Sequence, residues 1–231
     1  MFAGLAASEV HVWTASLDVA PLQTDALAEL LSPEERERAA RFFADRDRRR
    51  FVVGRGILRI TLGRYTGIAP EALQFRYGRH GKPLLAAGAR WHDLNFNVSH
   101  SKDTILYAVA LKRHVGIDIE HVRPDIETDE VAARFFSVRE AAALRALPAE
   151  QRVRAFFRIW TRKEAFLKGK DDGLSVSLGD FDVSCDENAR FLSSSMRASG
   201  WYLRDLSATD CQVAAIAVEG TDWVLRRWEW P

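Results

Sequence analysis

The sequence lacks the features that would place it in several common classes of protein. It has two cysteines, Cys185 and Cys211, without CxxC spacing, which argues against a disulfide framework or a zinc knuckle. Its six histidines form no HxH or HxxxH pair, so we do not expect a zinc site built on them. No apolar run reaches the roughly 18 residues of a membrane span. The first residues show no basic segment before a hydrophobic one. We therefore expect a cytoplasmic protein without a signal peptide or a membrane partner.

The charges show no excess of either sign. There are 33 Lys and Arg residues against 32 Asp and Glu residues, which gives a formal net charge of +1. A near-neutral chain has no global field that would attract nucleic acid, so any basic site must be local. At 231 residues, with 47% hydrophobic and 28% charged residues, the composition is typical of a globular protein of one large or two small domains.

Local patterns predict an order of strands and helices that is roughly repeated along the chain. The segments SPEE at 32–35 and SVRE at 137–140 are both typical of helix starts, and a break falls near His114. We therefore predict an α+β fold of two similar subdomains related by pseudo-two-fold symmetry, residues 1–114 and 115–231, with the active site in the cleft between them. We expect strands at 10–17, 95–99, 105–111 and 115–120, and helices at 32–43, 47–65, 129–136, 137–146 and 150–168. We expect residues 174–228 to be mostly strand, with 212–218 a good candidate.

The strand predicted at 115–120 carries two acidic residues. Because side chains alternate along a strand, Ile117 and Ile119 point to one face while Asp118 and Glu120 lie side by side on the other. Neighbouring carboxylates repel unless a cation lies between them, and hard cations such as Mg²⁺ prefer oxygen ligands. A half-buried strand with a solvated acidic face would explain the same residues.

The helix predicted at 150–168 places Trp160, Glu164 and Lys168 four residues apart on one stripe. Glu164 could supply a third oxygen ligand, and Lys168 lies one turn further on, where it could meet a phosphate. An exposed Glu–Lys pair is the alternative. The aromatic residues of this helix leave it little free surface, which favours a specific role for its charges.

Two further segments offer groups for an anion. The strand end at 95–101 (NFNVSHS) presents hydroxyls, amides and an imidazole that suit a phosphate or a ribose, although a side-chain-stabilised turn explains them as well. The basic run at 46–50 and Lys82 in a Gly-Pro turn could bind phosphate or nucleic acid. Basic runs are more often solvated helix surface.

The segments GIDIE at 116–120 and WTRKEAFLK at 160–168 resemble the signature of 4′-phosphopantetheinyl transferases. The match is to the larger, surfactin-synthetase-activating (Sfp-like) type, whose single chain holds two similar halves and is expected to act as a monomer. The resemblance covers residues 30 to 180, because further short motifs of that family follow in the same order. These are SPE at 32–34, RFF at 41–43, the segment 77–83, FNVSHS at 96–101 and RFFS at 134–137.

The resemblance implies that coenzyme A binds in the cleft, with its diphosphate on a Mg²⁺ ion held by Asp118, Glu120 and Glu164. Mn²⁺ accepts the same oxygen ligands. A serine hydroxyl of an apo acyl or peptidyl carrier protein then attacks the β-phosphorus, phosphopantetheine is transferred and 3′,5′-ADP leaves. Such an enzyme is a holo-acyl-carrier-protein synthase. The other residues implied to bind coenzyme A are Arg38, Arg50, Lys82, Ser99, His100 and Lys168.

The catalytic residues expected on this basis are Asp118, Glu164 and Lys168. Glu164 is the candidate general base because it could touch both metal and nucleophile, and Glu140 is a weaker candidate. Two segments depart from the family pattern. Glu35 stands where relatives often carry a lysine near the nucleotide, and the KDDG segment at 170–173 is unusually acidic. No residue predicts which carrier protein is the substrate.

Two alternative functions would use some of the same residues. A Mg²⁺-dependent nuclease would also need clustered acids and a lysine, but Glu164 and Lys168 lack the tight Glu-x-Lys spacing that such enzymes favour. A non-catalytic RNA-binding module could use the basic run at 46–50. It would have no use for Asp118 and Glu120 on one face, and a near-neutral chain gains little from counterion release.

Overall fold

The computed structural model describes residues 4–78, 81–86, 91, 93–170, 177–192, 198–207 and 209–231. Within them the chain is a mixture of helices and strands, which confirms the predicted α+β class. The helices are α1 (Pro21–Glu29), α2 (Pro33–Ala40), α3 (Asp45–Thr66), α4 (Thr128–Phe135), α5 (Val138–Ala146) and α6 (Ala149–Lys170). The strands are β1 (Glu9–Ser16), β2 (Phe75–Tyr77), β3 (Pro83–Leu85), β4 (Leu94–Ser101), β5 (Thr104–Leu111), β6 (Val115–His121), β7 (Trp201–Asp205), β8 (Gln212–Glu219) and β9 (Val224–Glu229).

The strands form two main sheets and one small hairpin. The first sheet has the order β4-β5-β1-β9, the second has the order β6-β8-β7, and β2 pairs with β3. All pairs are antiparallel except β1 with β9, which is parallel. The last strand therefore lies in the sheet of the N-terminal half. The boundary predicted at residue 114 stays a prediction.

Three apolar clusters hold these layers together. One lies between α3 and the first sheet, one lies between the two sheets, and the third lies between α6 and the second sheet. Ile117 and Ile119 belong to the cluster between the sheets. The alternation of β6 therefore turns Asp118 towards α6, as the sequence pattern predicts.

Helix α6 lies directly on β6 because two glycines leave room for it. A Cβ atom on Gly116 would collide with the carbonyl oxygen of Ala165 and with the backbone of Gly169. A Cβ atom on Gly169 would in turn meet the ring of Trp201. This close approach brings the last turns of α6 over the acidic face of β6.

Most elements match the sequence patterns, and three differences stand out. The capping boxes at Ser32 and Ser137 are both present, and Gly67 ends α3 in the left-handed conformation, with φ of 70°. The helix expected to run to residue 43 ends at Ala40. Helix α1 and the hairpin of β2 and β3 were not predicted, because α1 buries no residue and the two hairpin strands have only three residues each.

No helix in the described part of the chain combines the length and the apolar character that a membrane crossing needs.

Candidate active site

Asp118 lies at the centre of the site, almost completely buried between β6 and α6 at 3% exposure. Its Oδ1 atom accepts hydrogen bonds from Lys168 Nζ at 2.5 Å and from Ser99 Oγ at 2.9 Å. Its Oδ2 atom is also buried and has no hydrogen-bond partner among the described residues. Burial raises the pKa of Asp118, while the Lys168 charge and the Ser99 hydrogen bond act to lower it. The site thus contains a buried acceptor that lacks a proton donor or a cation.

Glu120 and Glu164 lie beside this carboxylate and are half-buried. Burial, and next the negative charge of Asp118, raises the pKa of both groups. Glu120 accepts one long hydrogen bond, from Ser101 Oγ at 3.4 Å. Glu164 makes no hydrogen bond or ion pair within the described residues. The structure therefore brings Glu120 and Glu164 each close enough to Asp118 to be repelled by its charge.

The three carboxylates do not form a ready coordination sphere. Among the described residues, no group of three or more His, Cys, Asp or Glu side chains is placed to hold a metal ion. The Lys168 ammonium neutralises Asp118 in this arrangement. The donor chemistry nevertheless suits a hard cation, because Asp118 Oδ2 and the Glu164 carboxylate are oxygens without a bonded donor in the described chain.

Cationic residues from both halves of the chain surround the acids. Lys82 Nζ donates to the carbonyl oxygen of Lys168 at 2.8 Å, so the turn before β3 touches the last turns of α6. His100 is exposed at the end of β4. Partial desolvation lowers its pKa, and the positive charges of Lys168 and Arg50 lower it further. Arg50 pairs with Asp103 at 2.5 Å. Of the predicted coenzyme A residues, Ser99 and Lys168 thus contact Asp118, and Lys82 contacts the backbone of Lys168. His100 is close enough to Lys168 and Asp118 for their charges to act on its pKa.

Arg38, the sixth predicted residue, lies in a separate cluster with Arg55 around the ring of Tyr77. The two guanidinium carbons are 5.9 and 5.8 Å from that ring's centre, and both also lie over Phe51. Arg55 is only 9% exposed, and its Nη1 atom has no hydrogen-bond partner among the described residues. Burial lowers the pKa of Arg55. This pair of arginines on an aromatic ring is suited to an anion.

Arg55 is not among the residues that the sequence predicts to bind an anion. The signal that could have found it is its position on α3, one turn after Phe51 and one turn before Arg59, on a face that the long apolar helix pattern buries. An arginine on a buried face needs a partner.

Glu35 is turned into the protein, where Arg55 Nε lies 3.5 Å from its Oε1 atom. It is 2% exposed, and its carboxylate accepts from the Ser32 amide and pairs with Arg59 Nε at 2.7 Å. Arg59 also donates to the carbonyl oxygens of Pro70 and Leu73. The acid that departs from the family pattern therefore serves as a helix cap and an internal ion-pair partner.

Glu140 has the same kind of environment. Its carboxylate pairs with Lys163 Nζ at 2.8 Å and accepts from the amides of Ser137 and Val183. With both oxygens occupied and only 1% exposure, Glu140 is poorly placed to take a proton from a substrate. Glu164, whose carboxylate has no such partners in the described chain, is better placed.

Part of two motifs lies outside the described residues. These are residues 79–80 of the segment 77–83 and residues 171–173 of the acidic KDDG segment.

Comparison with known proteins gives a consistent family. A family model described as 4′-phosphopantetheinyl transferase superfamily matches residues 114–218. One described as 4′-phosphopantetheinyl transferase, N-terminal, matches residues 15–112. The chain is 41% identical over 228 residues to the 4′-phosphopantetheinyl transferase HetI of Nostoc sp., which covers 98% of this chain and 94% of that protein. It is 31% identical over 160 residues to the 4′-phosphopantetheinyl transferase Sfp of Bacillus subtilis, and the match covers 69% of this chain and 69% of that protein. A shorter match, 44% over 110 residues, is to AcpT of Salmonella typhimurium, covering 48% of this chain and 54% of AcpT.

Proposed function

Because the chain belongs to the 4′-phosphopantetheinyl transferase superfamily, we propose that it carries out the reaction of that family at the centre formed by Asp118, Glu164 and Lys168. The enzyme transfers the 4′-phosphopantetheine group of coenzyme A to a serine of an apo carrier protein. One observation carries the assignment to this centre. The Oδ2 atom of Asp118 is buried without a hydrogen-bond partner among the described residues, beside two further carboxylates and a lysine.

Lys168 binds the phosphates in this proposal. Its ammonium is held by Asp118 and Ser99 and stays one-third exposed, so it can meet a diphosphate without leaving its anchors. Phosphoryl transfer depends mainly on alignment and on neutralisation of the charge that develops on the leaving group. A fixed cation beside the departing 3′,5′-ADP supplies that neutralisation.

Glu164 is the general base. The serine oxygen forms a bond to the β-phosphorus, the bond from that phosphorus to the departing 3′,5′-ADP breaks, and the serine proton passes to the carboxylate. A general base must have a free oxygen within reach of the proton it removes. Among the acids of the site, Glu164 has no hydrogen-bond partner in the described chain, whereas Glu140 is fully occupied.

Asp118, Glu120 and Glu164 would hold Mg²⁺, or Mn²⁺, which when bound supplies charge neutralisation for the diphosphate. Support comes from Asp118 Oδ2, which has no hydrogen-bond partner among the described residues, and from burial and the charge of Asp118, which raise the pKa of Glu120 and of Glu164. Asp118 and Glu120 are fixed by their strand. Glu164 comes from a helix and serves both metal and proton transfer.

The 3′-phosphoadenosine end of coenzyme A lies against the N-terminal half. Lys82 contacts Lys168, and His100 is close enough to Lys168, Arg50 and Asp118 for their charges to act on its pKa. Arg38 and Arg55 offer guanidinium groups around Tyr77 in a separate cluster. A cofactor that spans these two groups would lie across the cleft between two subdomains. A pseudo-two-fold relation between the subdomains is supported by two 22-residue helices, α3 and α6, each preceded by a strand and two short helices.

The partners are apo acyl or peptidyl carrier proteins, and the chain acts as a monomer in the cytoplasm. The two cysteines are free, which suits a reducing compartment. Nucleic acid is the weaker candidate, because Arg48 and Arg50 in the 46–50 run pair with Asp45 and Asp103.

The test incubates the chain with coenzyme A, Mg²⁺ and several types of apo carrier protein, and measures the phosphopantetheine adduct by intact-mass spectrometry. The wild-type chain should modify at least one carrier. Glu164→Gln should lose turnover, while Glu150→Gln, an exposed acid at the start of the same helix, should keep it. Full turnover by Glu164→Gln would exclude it as the base. The absence of an adduct on every carrier would overturn the proposed function.

A further inference from the structure

Three side chains of β4 take the place of a neighbouring strand for β6. The two strands belong to different sheets, yet alternate residues of β4 accept hydrogen bonds from alternate amides of β6. The pairs are Asn97 Oδ1 with the Ile117 amide at 2.9 Å, Ser99 Oγ with the Ile119 amide at 3.4 Å, and Ser101 Oγ with the His121 amide at 2.9 Å.

The reason lies in the edge of the second sheet. Strand β6 pairs with β8 on one side, so its other amides need acceptors where they are covered by protein. The neighbouring cluster between the sheets is apolar and includes Val12, Ala108 and Ile216. The polar strip on β4 therefore lies at the border of this apolar cluster, and the period-two spacing of both strands keeps the contacts in register.

The same hydroxyls also bind the acids of the site. Ser99 Oγ donates to Asp118 Oδ1 at 2.9 Å, and Ser101 Oγ donates to Glu120 Oε2 at 3.4 Å. A serine hydroxyl has one donor and two acceptor positions. Ser99 uses all three, since it accepts from the Ile119 amide and from Lys168 Nζ at 3.2 Å. Its hydroxyl thus has no position left for a ligand in this arrangement.

We propose that Asn97, Ser99 and Ser101 are positioning residues that form a side-chain joint between the two halves. The joint fixes the register of β6 against β4, and so sets the place of Asp118 and Glu120 relative to the coenzyme A residues of the N-terminal half. Outer partners of this kind orient metal-binding carboxylates. The inference rests on the proposed function. It assigns Ser99 to the acids, in place of the nucleotide contact that the family resemblance implies.

Asn97 gives the sharpest test. Its side chain makes one hydrogen bond in the described chain, which it accepts from the β6 backbone, and it makes none with an acid. In Asn97→Ala we expect faster hydrogen exchange of the Ile117 amide and about 10- to 100-fold weaker binding of Mn²⁺. Mn²⁺ is titrated by electron paramagnetic resonance with saturating coenzyme A. The KM for coenzyme A should stay unchanged. The matched control is Asn95→Ala on the same strand, whose side chain donates to Asp93.

Substitutions of Ser99 distinguish a positioning role from a contact with the nucleotide. As a positioning residue, Ser99→Ala should lower kcat and Mn²⁺ affinity while the KM for coenzyme A is kept, and Ser99→Thr, which retains the hydroxyl, should recover both. A higher KM with unchanged Mn²⁺ affinity would show a nucleotide contact and overturn the joint. The joint would also be overturned if Asn97→Ala bound Mn²⁺ as tightly as the wild type while its circular dichroism spectrum showed that it is folded. Loading of a carrier by the wild-type chain is measured first, because its failure counts against the proposed function itself.

Discussion

Both halves of the chain contain one buried ion pair of the same kind, which we call the clamp. The halves differ in the residues that follow this ion pair. In each half a glutamate at the third position of a capped helix pairs with a cation on a 22-residue helix. The pairs are Glu35 with Arg59 and Glu140 with Lys163. Both cations are the fifteenth residue of their helix, α3 or α6.

Each clamp also ties down the chain that follows its long helix. Arg59 donates to the carbonyl oxygens of Pro70 and Leu73, and Lys163 donates to those of Leu178 and Phe181. The capping serine is present in both halves as well. The clamp is thus part of a shared framework and does not by itself make a site.

The residues after each clamp differ. In α6, Glu164 and Lys168 face the acids of β6. At the position of Lys168, α3 has Arg64, whose guanidinium lies 4.5 Å from the ring of Trp230 and 5.6 Å from that of Trp13. The N-terminal half therefore places the aromatic rings of Trp13 and Trp230 against its long helix, where the C-terminal half has carboxylates. One framework thus supports packing in one half and charge in the other.

The largest expected effect concerns the clamps. Lys163→Met should lower the free energy of unfolding by about 3–5 kcal/mol, because buried Glu140 is left without its cation. Arg59→Met should also lower it, but by less, because Arg55 Nε still lies 3.5 Å from Glu35 Oε1. Urea unfolding measures this, with Arg190→Met in the exposed Asp186 pair as a control that should lose less than about 1 kcal/mol. If Arg59→Met behaved like the control while Lys163→Met did not, the clamps would not be equivalent.

The next effect is on turnover. Asp118→Asn should lower kcat by about 100- to 1000-fold, since it removes charge from the centre that stabilises the transition state. Trp13→Phe, on the helix-facing side of the N-terminal strand, should leave kcat unchanged. Steady-state kinetics with one carrier protein measures kcat for both variants. Equal losses in both variants would mean that the N-terminal face takes part in the chemistry.

A smaller effect is expected on coenzyme A binding. Arg55→Met should raise the KM for coenzyme A about tenfold, because a charge-assisted hydrogen bond contributes about 1.5–3 kcal/mol. The KM for 3′-dephospho-coenzyme A should rise less. Arg64→Met, which removes the counterpart of Lys168, should change neither KM. A parallel rise for both substrates would place Arg55 away from the 3′-phosphate.

The smallest effect is a pH dependence confined to the N-terminal half. Burial lowers the pKa of His11, while Glu9 acts to raise it. The unfolded chain, with an ordinary histidine pKa of about 6.5, therefore binds the proton more tightly than the folded one. This contribution to stability is present above pH 6.5 and is lost as the pH falls below it. The difference in Tm between pH 7.5 and 5.5 should be smaller in His11→Gln than in the wild type.

Much of the fold was predictable because its signals are local. The capping boxes at Ser32 and Ser137, the stop at Gly67 and the alternation of β6 depend on a few neighbouring residues. Helix α1 was not predicted, because it buries no residue. The pairing of β9 with β1 was not predicted either, because the two strands lie some 200 residues apart in the sequence. Ordered motifs also predicted the family and the three acids that the structure brings near one another.

The sequence by itself determined which chemistry is available: carboxylates on one face of β6, and Glu164 and Lys168 on one stripe of α6. Only the tertiary structure decided which polar groups are already occupied. Glu35 and Glu140 are held by buried cations, and Ser99 is shared between a backbone amide, Asp118 and Lys168. The physical reason is that partners of buried polar groups come from distant parts of the chain, which spacing along the sequence does not reveal.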